Sequence, residues 1–118
     1  MTRATLLALA SRVEAATGAD RELDAAILAA CWDCRGKPTD LGPRYTASLD
    51  AAMSLVPRVA YWRLGHDGDG ADPAEYKADV IVPKLGGVDA RGRAIAVTPP
   101  LALTAASLRA IAGSLPND

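Results

Sequence analysis

The sequence predicts an α+β protein, a layered helix–sheet–helix sandwich with a three-stranded, mostly antiparallel sheet and about four helices. Three observations predict it. Apolar residues recur at helical spacing in the first half of the chain and again at its end. Between residues 59 and 97 the period drops to two, the signature of strands. The strand segments are joined by short connections, too short for the dozen or so residues of a parallel crossover. The 118 residues are expected to form a single compact domain, 1–118.

The first helix spans residues 2–17, with Leu6, Leu9, Ala10 and Val13 on one face and Gly18 as its stop signal. Asp20 is the natural N-cap of the second, whose stripe is Leu23, Ile27, Leu28 and Cys31. That helix is expected to end between Trp32 and Arg35, before a loop marked by Gly36, Pro38, Gly42 and Pro43. A short third helix is capped by Thr46 or Ser48, lined by Leu49, Ala52, Met53 and Val56, and closed by Pro57.

The first strand is expected over residues 59–64, with Ala60, Trp62 and Leu64 on one side and Val59, Tyr61 and Arg63 on the other. Residues 65–73, with three Gly, three Asp and a Pro, read as a turn or exposed loop. The second strand is 76–82, with Lys77 and Asp79 facing away from Tyr76, Ala78, Val80 and Val82. Gly86, Gly87 and Gly92 place Arg91 and Arg93 in a turn, and residues 94–97 form a short third strand. Thr98 then caps a last helix that has Pro99 at its first position, carries Leu101, Ala105, Leu108, Ile111, Ala112 and Leu115, and is ended by Gly113 and Pro116.

Composition narrows the function classes. Half the residues are hydrophobic, 25 of them alanine, and none is phenylalanine. The net charge of -1 points neither to a basic nucleic-acid binder nor to an acidic DNA mimic. Residues 35–93 carry nine basic against eight acidic groups, which makes no phosphate-binding stripe, so nucleic acid is not the expected partner. The apolar run at residues 4–10 is far short of the about 20 residues a membrane span needs. Arg12 and Glu14 interrupt any signal-peptide core, and two cysteines make no disulfide framework. A soluble protein of the cytoplasm is expected.

Candidate chemistry is sparse. Cys31 and Cys34 form a C-x-x-C pair, but it falls at a helix C-terminus, where the dipole disfavours a thiolate. A structural zinc site needs four ligands, and His66 is the one histidine. An EF-hand loop begun at Asp67 fails, because its fifth and twelfth positions are Ala71 and Ala78. No nucleophile elbow accompanies His66, and Gly86-Gly87 lacks the residues of a phosphate-binding loop. No catalytic residue, cofactor or metal is therefore assigned. Tyr61 and Arg63, opposite Trp62 on a strand, are of the types enriched at interface hot spots.

The segments ADRELDAAI (19–27), YTASLDAAMSLVP (45–57), AYWRL (60–64) and VTPPLALTAASLRA (97–110) resemble small phage and prophage proteins of the phage ABA sandwich type. The shared features are structural: a helix cap, an aromatic strand and a capped C-terminal helix. The resemblance implies a helix–sheet–helix sandwich and a phage context, and leaves the activity open.

The reading that follows is a non-enzymatic protein-binding module of phage or prophage origin. Its most concrete form is an inhibitor of a bacterial defence complex, of the anti-CRISPR type. The candidate partner-binding residues are Tyr61, Arg63, His66, Asp67, Asp69, Arg91 and Arg93. Homodimerisation through an unpaired sheet edge or an apolar helix face is a second expected mode of association. The alternatives are a small metal- or thiol-dependent enzyme using Cys31, Cys34 and His66, and a structural or assembly accessory of the virion.

Overall fold

A computed structural model describes residues 2–31, 43–67, 75–84 and 87–115. Within them the order is α1 (Arg3–Ala15), α2 (Arg21–Cys31), α3 (Leu49–Met53), β1 (Tyr61–Asp67), β2 (Glu75–Val82), β3 (Ala90–Ala96) and α4 (Pro99–Ser114). The strands form an antiparallel sheet in the order β1-β2-β3, with helices packed on it, the α+β class that the patterning predicts. No helix among the described residues is long and apolar enough to cross a membrane.

Local chemistry starts each helix. The Thr2 hydroxyl accepts the N–H of Thr5 at 3.1 Å, and α1 buries Leu6, Leu9, Ala10 and Val13. The Asp20 carboxylate accepts from the N–H groups of Glu22 and Leu23 at 2.9 and 3.2 Å, opening α2. Ser48, rather than Thr46, caps α3. This helix turns differently from its expected face: Ala52 and Leu55 are buried while Leu49 and Met53 are exposed. Thr98 caps α4, with proline at its start as expected.

Thr46 has a different task. The Asp24 carboxylate is fully buried, and it accepts the Thr46 N–H and hydroxyl, each at 2.8 Å, and Arg21 Nη1 at 2.9 Å. The chain at Tyr45–Thr46 is thereby fixed to α2, and the Tyr45 carbonyl accepts the buried Thr104 hydroxyl of α4 at 3.0 Å.

Helix α4 lies at the centre. It packs on β2 and β3 with one face and on α1 and α3 with others, so eight consecutive residues, Leu101 to Leu108, are buried. Its approach to the sheet is close because the facing row of β3 is Ala90, Gly92, Ala94 and Ala96. A Cβ placed on Gly92 would lie 2.0 Å from the Ala106 carbonyl oxygen and 2.5 Å from the Ala110 nitrogen. Gly92 is thus a contact point between backbones and not a turn residue.

That contact corrects the third strand. It begins at Ala90, four residues before the expected start, and Arg91 and Arg93 lie within it. The buried–exposed alternation from Ala90 to Ala96 is strict, but its buried members are all alanine or glycine, which carry little strand signal. The first strand is likewise displaced. It runs Tyr61–Asp67, so Gly65, His66 and Asp67 belong to the sheet instead of the loop. They are held by pairing with Lys77, Tyr76 and Glu75, a tertiary ladder that overrides weak local propensity.

Candidate functional site

The two faces of the sheet differ in kind. Toward α4 point Leu64, Ala78, Val80, Gly92, Ala94 and Ala96. The opposite face meets no helix among the described residues. The register lays out three cross-strand rows there: Tyr61–Ile81–Arg91, Arg63–Asp79–Arg93 and Gly65–Lys77–Ile95. Side chains on one face alternate with period two, so the residues opposite the alanine row of β3 are Arg91, Arg93 and Ile95.

Asp79 stands at the centre of this face, with its side chain only 12% exposed. Arg91 holds it in a fork: Nε donates to Oδ1 at 3.0 Å and Nη2 donates to Oδ2. Arg63 Nη2 is 3.6 Å from Oδ2 on one flank and Arg93 Nε is 3.9 Å away on the other. The Arg91 hydrogen bonds hold the Asp79 carboxyl below its usual value, against desolvation by burial, and the charges of Arg91 and Arg93 add to the effect. Reciprocally, the Arg91 guanidinium is raised by its hydrogen bonds to Asp79. Arg63 and Arg93 remain 83% and 67% exposed, and their guanidinium groups meet Asp79 as ion pairs just beyond ordinary hydrogen-bond distance. A depression of about 670 Å³ lies over this face, bordered by Arg63, Gly65, Lys77, Asp79, Arg93 and Ile95.

The outer edge of β3 is closed. Glu14, from the end of α1, accepts the Ile95 N–H at 2.9 Å and binds Arg109 through both carboxylate oxygens at 2.8 and 2.9 Å. Arg109 also donates to the Arg93 carbonyl at 2.7 Å. Hydrogen bonding from Arg109 is the main reason the Glu14 carboxyl is held low. The other outer strand is β1, and no further described strand pairs with its outer edge.

Of the residues singled out from sequence, the structure groups Tyr61, Arg63, Arg91 and Arg93 on one face. His66 alternates to the side of Tyr76, and the two rings meet edge-to-face with centroids 5.3 Å apart. Asp67 ends β1 opposite Glu75, its side chain outside the described residues. Asp69, Cys34 and the Cys31 side chain also lie outside them. Trp62 is on the helix side of β1, yet it stays 37% exposed at the border of the α4 packing.

Sequence reasoning missed Asp79 as the hub of the cluster, and Glu14 with Arg109. The outward face of Asp79 was readable from the alternation of β2. Its partners were not, because the glycines around Arg91 and Arg93 read locally as a turn. Nothing local links Glu14 to Arg109, 95 positions apart.

Fold and face together define a small α+β protein with one sheet face buried under a central helix and the other, among the described residues, open and arginine-rich. Comparison with known family models, curated proteins and solved structures finds no match to the chain.

Proposed function

We propose that this protein is a non-enzymatic binding module whose open sheet face holds a protein partner. The observation that carries the reading is the grouping of Tyr61 with Arg63, Arg91 and Arg93 around Asp79 on a face that no described helix covers. Exposed tyrosine and arginine are the residue types that most often dominate binding energy. The phage or prophage origin and the inhibition of a bacterial defence complex, of the anti-CRISPR type, rest on the sequence resemblance.

The test is expression in a bacterium with an active CRISPR defence, with phage plating efficiency as the readout. Wild type should raise plating efficiency, and a purified effector complex should retain the protein. The Tyr61→Ala, Arg63→Ala double variant should do neither while keeping its melting temperature. Unchanged phage resistance together with no retained effector refutes the defence reading. The thiol- or metal-enzyme alternative is answered separately, by elemental analysis and thiol titration of Cys31 and Cys34.

A further inference from the structure

We infer that the partner of the open face presents carboxylate side chains, which bind between Arg63 and Arg93 over Asp79. This deepens the binding-module reading and rests on it. The argument is one of charge complementarity. The middle of the face carries Arg63, Arg91 and Arg93 around Asp79. Asp79 takes its close hydrogen bonds from Arg91. Arg63 and Arg93 stand 3.6 and 3.9 Å from it, beyond the roughly 2.7–2.9 Å of a charge-assisted hydrogen bond. Their guanidinium groups are therefore ion-paired to Asp79 without a short hydrogen bond to it, which leaves donors for a second carboxylate. Arginine forks match carboxylates bidentately, and the depression above them has room for acidic side chains.

The same face argues for a protein carboxylate over a phosphate chain. A nucleic-acid backbone offers evenly spaced phosphates and no apolar side chains for the rows that flank Asp79. The apolar members of the neighbouring rows, Tyr61 with Ile81 and Ile95 beside Lys77, instead suit the mixed surface of an acidic peptide. Asp79 acts in this scheme as a placeholder: it keeps the arginines assembled and partly neutralised until a partner's carboxylates join them.

The experiment titrates the full chain with an oligoglutamate peptide at low salt, followed by calorimetry and by the guanidinium NMR signals of Arg63 and Arg93. An RNA oligonucleotide and anionic phospholipid vesicles are the other arms. Saturable oligoglutamate binding is expected. Arg63→Gln with Arg93→Gln should weaken it about fivefold to tenfold, as two partly exposed ion pairs would. Asp79→Asn should tighten it several-fold by removing the competing carboxylate, an outcome that a purely structural role for Asp79 would not give. Oligoglutamate affinity that is indifferent to both variants overturns the inference, as does binding of the RNA or the vesicles without the peptide. If a protein partner is found whose contact survives the double arginine variant, this inference fails while the binding-module reading stands.

Discussion

Gly92→Ala tests the packing that creates the two-faced sheet. The added Cβ would sit 2.0 Å from the Ala106 carbonyl oxygen, 2.5 Å from the Ala110 nitrogen and 3.0 Å from Arg109 Cβ. Non-bonded atoms settle at about 3.5–4.0 Å, so α4 must retreat by more than an ångström. The first two atoms are helix backbone and cannot swing aside as a side-chain end would. Overpacking a core costs about 1–3 kcal/mol, and a backbone clash belongs at the upper end. The retreat also opens a gap along Ala90, Ala94 and Ala96, losing dispersion contacts. Stiffening the unfolded chain returns about 0.4–1 kcal/mol. The expected net loss is about 2–3 kcal/mol, a large share of a typical total of 5–15. Urea unfolding followed by circular dichroism measures it. Gly65→Ala is the control, since a Cβ on Gly65 meets nothing within 4 Å, and its change should stay within about 1 kcal/mol. A Gly92→Ala midpoint equal to that of Gly65→Ala would refute the close-packing account.

Three further outcomes follow from the same structure. Asp24→Ala removes a buried acceptor of three hydrogen bonds and strands the Thr46 N–H; chemical denaturation should show a loss of about 3 kcal/mol. Arg3 donates to the Ala112 and Leu115 carbonyls at 3.0 and 3.1 Å, closing the C-terminal end of α4; Arg3→Ala should cost about 1–2 kcal/mol by the same assay. The Asp79 and Glu14 carboxyls are both held below their ordinary values in the folded protein. Their stabilisation is therefore complete above the unfolded values, near 4, and is lost as pH falls through the lower folded ones. Urea midpoints should drop in acid, with a shallower drop in Glu14→Gln; an equal slope in both proteins would contradict the Glu14–Arg109 assignment.

Helix starts were the most legible part of the chain, because a cap is a local device. Asp20 and Thr98 each act on an N–H two or three residues ahead. Strand limits were less legible. The Gly-His-Asp end of β1 is extended because β2 pairs with it, and nothing in those three residues says so. Of the candidate site, the outward direction of Tyr61, Arg63 and Asp79 was readable from alternation. The convergence of Arg91 and Arg93 on Asp79 was not, because it depends on the true length of β3.

The misreading of Gly92 and the concealment of the arginine cluster have one physical cause. A helix can approach a sheet closely only over small side chains, so the inner row of β3 is reduced to Ala90, Gly92, Ala94 and Ala96. Such a row loses the β-branched and aromatic residues that mark a strand. The outer row is free of that constraint, and here it carries Arg91 and Arg93. The glycine that reads as a turn is thus what lets α4 clamp the strand, and the clamp fixes the two arginines beside Asp79. Weakening the small-residue contact should therefore disturb the open face as well as stability. If Gly92→Ala kept the wild-type affinity of the arginine face while losing its stability, the two faces of β3 would be energetically independent, and the coupling argued from their shared backbone would be wrong.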